Sequence, residues 1–151
     1  MNKLIAVLLG SLLLSTVAAC SNTAQTSPDA PDTTSKVGEP PNKQEAQNIQ
    51  SDGTSELRRR QLESDIRARE QRNDATGDDA VRADSDLESE IRSKLEANLP
   101  ASQLTVAAKE GVVTISGTVP TQPQFERIDP LAREIKGVKD VVVKATVAPA
   151  Q

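Results

Sequence analysis

Cys20 is the one cysteine of the 151-residue chain, so no disulfide can form within it, and its place directly after Val17-Ala18-Ala19 points to another use. The other residues that do chemistry are few. There is no His, Trp or Tyr and no Gly-rich phosphate loop of Walker or Rossmann form. The 22 Asp and Glu fall on solvated faces or helix starts. Asp78-Asp79 and Asp84-x-Asp86 are the groupings that suggest a cation, yet they lack the Gly and closing Glu of a calcium loop. The reading is therefore no catalytic constellation, no metal, no cofactor and no enzyme. A formal net charge of −4 argues against a nucleic-acid partner, which calls for a basic excess. Arg133, Lys136, Lys139 and Lys144 gather around the end of the last helix and the final strand, while acids gather at the start of an earlier helix. They are the candidate contacts for anionic headgroups. The plainer reading is a mixed surface that keeps the domain soluble.

Stepping N-terminal of Cys20 gives its setting. Lys3 is a short positive region, and residues 4–14 form an apolar run too short for a bilayer core of about 30 Å, which takes about 20 apolar residues. Residues 1–19 thus read as an export signal. Val17-Ala18-Ala19-Cys20 resembles the bacterial lipobox, which implies cleavage before Cys20, a thioether-linked diacylglycerol and an acyl chain such as palmitate on the new N-terminus. Each buried methylene contributes about 0.8 kcal/mol, so such chains hold a protein to a membrane stably. Ser21 after the cysteine resembles lipoproteins sorted to an outer membrane. The alternative is ordinary cleavage after Ala19, leaving a soluble periplasmic protein with a free thiol.

Residues 20–83 form the tether. From Ser21 to about Thr54 the chain is rich in Ser, Thr, Pro, Asn, Gln and Asp and is expected to stay disordered, because it has too little apolar surface to offset chain entropy. A flexible chain of this length reaches roughly 30–35 Å. A charged helix is expected at about 55–72, with Glu56–Arg60, Glu63–Arg67 and Asp65–Arg69 at i,i+4. Leu57, Leu62 and Ile66 make a narrow stripe, so the helix is read as a solvated spacer; the other reading is a partner- or membrane-facing segment carrying Arg58-Arg59-Arg60.

Residues 84–148 hold the folded unit, a domain of about 65 residues that is marginal in the surface it can bury. Ser85-Asp86-Leu87-Glu88 is a capping-box pattern, and Leu87, Ile91, Leu95 and Leu99 recur every four residues until Pro100 stops the helix. Leu104, Val106 and Ala108 alternate into a strand. Gly111 then sits at a hairpin turn, and Val113, Ile115, Gly117 and Val119 line one face of the next strand. Gly117 inside that strand marks a bulge or a close backbone approach. Phe125, Ile128, Leu131, Ala132 and Ile135 form a helical face interrupted by Pro130, which predicts a two-piece helix with Asp129 as cap and a regular part from Pro130 to Lys136. Gly137 ends it, and residues 138–147 make the last strand with Val141, Val143, Ala145 and Val147 inward. The fold class is α+β, in the order αββαβ: a three-stranded mixed sheet with two helices on one face and Val112 and Val142 on the other, open face.

Asp86-x4-Ile91-x3-Leu95, Leu104-x-Val106, the run Gly111–Val119 and Gly137-Val138-x2-Val141 resemble the BON domain. Gly111, Gly117 and Gly137 carry the signature. Pro130 departs from it, since the family usually has a plain helix former there, and this chain holds one copy where better-known periplasmic members have two. The resemblance implies an envelope protein that binds phospholipid and serves envelope maintenance or osmotic stress. The expectation is a lipid-anchored protein at the cell membrane or outer membrane, facing the periplasm, whose partners are the membrane itself and anionic phospholipid. The alternative is an interaction module that uses its open sheet face or edge strand to dock another envelope protein.

Overall fold

The computed structural model describes residues 23–53, 55–76 and 83–151; the apolar leader, Cys20 and Asp78-Asp79 lie outside them. In chain order the described elements are β1 (Ala24–Gln25), α1 (Lys43–Gly53), α2 (Glu56–Thr76), α3 (Asp84–Asn98), β2 (Gln103–Lys109), β3 (Val112–Val119), α4 (Gln122–Arg133), β4 (Asp140–Val143) and β5 (Thr146–Val147). The four-residue repeat of α3 does what its spacing dictates: Leu87, Ile91 and Leu95 are fully buried, with Leu99 beside them just past the helix end. They pack on Leu104 and Val106 of β2 and Val113, Ile115 and Val119 of β3, and Ile128, Leu131, Ala132 and Ile135 complete this single apolar layer. Fully burying a Leu or Ile side chain contributes about 1.5–3 kcal/mol, so these few residues dominate the stability of a small domain.

The sheet is mixed. β2 and β3 are antiparallel, and both β4 and β5 run parallel to β3, as the helical crossover requires. The expected single last strand is split at Lys144-Ala145. The break lies beside Gly117, whose φ of +124° turns the β3 backbone out of the regular ladder. Val147, expected inward, is 37% exposed, because β5 pairs only with β3 and forms the sheet's outer edge.

Three local expectations change. Helix α3 begins at Asp84 with Ala83 in the cap position and no side-chain cap bond. Ser85 contributes its carbonyl to the Ser89 hydroxyl, and Glu88 turns inward to accept a hydrogen bond from the Ala108 N–H at 2.8 Å. Helix α4 is one run with Pro130 inside it rather than two pieces. Pro130 is exposed and close to the C-terminal end, so water can satisfy the one carbonyl it leaves without a donor. Asp129 pairs with Arg133 instead of capping.

The largest differences concern the tether. Rather than staying disordered, residues 23–42 form a strap around the sheet. β1 adds to the edge of β2, with Ala24 opposite Val106 and Gln25 opposite Thr105, making a five-stranded sheet. The strap then crosses the outer face, where the Thr105 hydroxyl donates to the Pro31 carbonyl. At the far side Gln151 donates to the Pro41 carbonyl at 3.2 Å and accepts from Lys43 N–H at 2.9 Å. Backbone groups and threonine hydroxyls hold this segment, which is why its lack of apolar residues did not announce it. Helix α2 is likewise no free spacer. It lies antiparallel on α3 with Leu62 3% exposed, Arg58 paired with Glu96 and Arg69 with Asp86 at 3.3 Å. Leu57 stays 70% exposed.

Candidate functional site

The end of the outer sheet face that the strap leaves open is built on the β2–β3 hairpin. Glu110 and Gly111 have φ of +53° and +84°, the pair of positive values that a two-residue turn matching strand twist requires. Lys109 and Val112, opposite each other across that turn, share the outer face with Val142 of β4, which lies opposite Thr114. Val112 is 41% exposed and Val142 38%, as the alternation predicts. Lys144, two residues beyond Val142, falls on the same face. The Lys139 backbone N–H donates to the Gly111 carbonyl at 2.9 Å, which brings its side chain to the turn. Gly137, with φ of +90°, closes the same corner.

The four basic residues singled out in the sequence divide into two pairs. Arg133 donates to Asp129 at 3.0 Å and Asp140 at 3.1 Å, and these bonds raise its already high pKa. The Val141 backbone N–H and then Arg133 hold the Asp140 carboxyl below its ordinary value. Lys136 reaches Asp74 of α2 at 3.5 Å. Lys139 and Lys144 are exposed and form no ion pair with a described residue. Lys109 is in the same position and was missed in the sequence. Its strand alternation put it on the outer face, but nothing marked it as a neighbour of the other two.

One acid stands apart chemically. Burial pushes the Glu88 carboxyl above its usual value; the hydrogen bond from Ala108 opposes this, and nearby Asp84 adds to it. Its bond to Ala108 caps a backbone donor on the β2 edge beyond the reach of β1, so its role is structural. Among the described residues no group of His, Cys, Asp or Glu is placed to hold a metal ion, and no helix is long and apolar enough to cross a membrane.

The order of elements and the glycine-pinned hairpin define a small α+β domain with its helices on one face of a mixed sheet. Comparison with known families agrees: residues 83–149 match the BON domain, so the chain carries a BON domain there. The chain is also similar to osmotically-inducible protein Y of Escherichia coli (strain K12), 40% identical over 60 residues that make up 38% of this chain and 30% of that protein. It therefore spans less than a third of that curated relative's length. No solved structure matches the chain.

Proposed function

We propose that this protein is a lipid-anchored envelope protein that sets its BON domain against anionic phospholipid through the open end of the outer sheet face. The observation that carries the reading is the grouping of Lys109, Lys139 and Lys144, none of them neutralised by a described acid, around the exposed Val112 and Val142. Each basic residue near an anionic surface contributes about 1 kcal/mol, so three give about 3 kcal/mol. That falls short of the roughly 4 kcal/mol of a millimolar complex, and the contact matters only if the domain is held near the membrane. Acylation at Cys20 would supply that proximity. Arg133 and Lys136 are spent on ion pairs and contribute less. The likeness to a protein named as osmotically inducible supports a role in the envelope under osmotic stress.

Co-sedimentation of the chain carrying Cys20→Ser tests the surface. Recovery is expected to be higher with vesicles of phosphatidylglycerol and phosphatidylcholine than with phosphatidylcholine alone, and the triple change K109E, K139E and K144E should abolish the difference. Equal recovery on both vesicles at low salt overturns the reading. The anchor is tested separately by palmitate labelling and membrane fractionation of the parent and Cys20→Ser chains.

A further inference from the structure

The other end of the outer sheet face, beneath the strap, is physically unlike the lysine end. Gln103 lies opposite Thr118 and Thr105 opposite Ser116, so four polar side chains form a compact block on that face. All are buried, none more than 2% exposed. Of the four, Thr105 bonds to the strap through the Pro31 carbonyl. Gln103 Oε1, Ser116 Oγ and Thr118 Oγ1 have no hydrogen-bond partner. Buried polar side chains are nearly always partnered, and three orphans in one block need an explanation. The cover itself is slight. Its ladder is two residues long, and its buried side chains, Ser27 and Ala30, are small. Thr26 does most of the holding: its N–H donates to the Leu104 carbonyl at 2.9 Å, and its hydroxyl accepts from Leu104 N–H at 2.9 Å and donates to the Ser102 carbonyl at 3.1 Å.

We propose that this block and the adjoining β2 edge form a docking groove for an extended peptide strand rich in Ser and Thr from a partner protein, kept shut by the chain's own residues 24–31. The resident strap displays the chemistry that fits: a short antiparallel strand on Leu104 and Val106, a carbonyl for Thr105, and small side chains over the block. An incoming strand would take over the edge hydrogen bonds of β1 and bring polar side chains to Gln103, Ser116 and Thr118, which the strap leaves unsatisfied. The groove lies away from Lys109, Lys139 and the hairpin turn and meets the lysine surface only at Lys144, one residue past the Ile115–Val143 pair, so peptide binding and vesicle recovery are read separately.

The probe is a synthetic peptide copying residues 23–33, added to the full chain carrying Cys20→Ser. Thr26→Pro removes both the N–H and the hydroxyl that fasten the strap and leaves the sheet untouched. This variant should bind the peptide at least tenfold more tightly than the parent. Gln25→Cys with Thr105→Cys, at facing positions of the ladder, should lose binding when oxidised and regain it on reduction. Ser116→Val with Thr118→Val should raise Tm in the parent, because the strap leaves both hydroxyls unsatisfied, and the same pair added to Thr26→Pro should leave binding of this strap-copy peptide no weaker. Should Thr26→Pro compromise folding, hydrogen exchange on the parent decides: the Leu104 and Val106 amides should exchange at least tenfold faster than those of Val113 and Ile115. Peptide affinity equal in Thr26→Pro and parent, an oxidised lock that still binds, or equal protection across β2 and β3 overturns the proposal. Vesicle recovery stays at the parent's level in all these variants if the two surfaces are independent, so failure here and failure of the lipid reading are distinguishable.

Discussion

Replacing Gly117 by Ala tests the geometry that organises the whole domain. A Cβ at position 117 would stand 2.0 Å from the Gln103 carbonyl oxygen and 3.0 Å from Leu104 Cα, both main-chain atoms of the paired strand. Neither can rotate aside, so β2 must shift away from β3. The φ of +124° adds strain that a residue with a side chain cannot relieve. Backbone strain of this kind costs about 1–3 kcal/mol, and overpacking a well-packed site costs about 1–3 kcal/mol more. The expected loss is about 3–5 kcal/mol. For a domain of this size each kcal/mol moves Tm by about 4–8 °C, so a fall of at least about 12 °C is expected. Gly111→Ala is the control. Its φ of +84° brings a left-handed cost, and its Cβ would meet the Lys139 side chain and the Gly137 carbonyl at 3.0 Å. The lysine can move, and the expected loss is about 1–2 kcal/mol. With no Trp or Tyr in the chain, far-UV circular dichroism during urea and thermal unfolding is the suitable probe. The reasoning is refuted if Gly117→Ala stays within about 1 kcal/mol of the parent, or if Gly111→Ala proves the more damaging change.

Further expectations follow from the same contacts. Leu62→Ala should cost about 2–4 kcal/mol in urea unfolding because α2 buries that side chain on α3; a loss under about 0.5 kcal/mol would mean that α2 is a free spacer after all. Glu88→Gln keeps an acceptor for the Ala108 N–H and removes a charge that burial disfavours. The folded carboxyl has the raised value, so its stabilising contribution is present below the unfolded pKa and is lost as pH rises through the folded one. Relative to Glu88→Gln, the parent should therefore gain stability as pH falls from neutral toward 4.5, and urea midpoints that converge on lowering the pH would bear this out. Asp140 has the opposite sign: its lowered carboxyl contributes above its unfolded pKa and loses that contribution on acidification, so Asp140→Asn should narrow its deficit at low pH.

Much of the domain was legible from residue order because its determinants are local. The repeat Leu87, Ile91, Leu95 needs only the helical period to find the core, and the alternation in residues 104–108 and 113–119 needs only the pleat. Gly111 and Gly117 announced a turn and a close approach because no other residue tolerates those backbone angles without strain. The open valines and Lys144 followed from the same period of two, whereas Lys139 comes to the turn through its backbone bond to Gly111.

What residue order alone determined, then, is the α+β pattern of residues 84–148, its inward face and the positions of its special glycines. Tertiary structure decided what lies on the outer face and behind α3. The strap is held by backbone amides, carbonyls and threonine hydroxyls, which every polar segment possesses and which leave no periodic mark in a sequence. The same holds for Lys109, which joins Lys139 and Lys144 only because the hairpin and β4 meet at Gly111. Lys136 leaves that group because Asp74, far away in the chain, arrives beside it on folding, while Arg133 is taken by its near neighbours Asp129 and Asp140. Periodicity reports which way a side chain points; which chain segment meets it there is fixed only when the chain closes on itself.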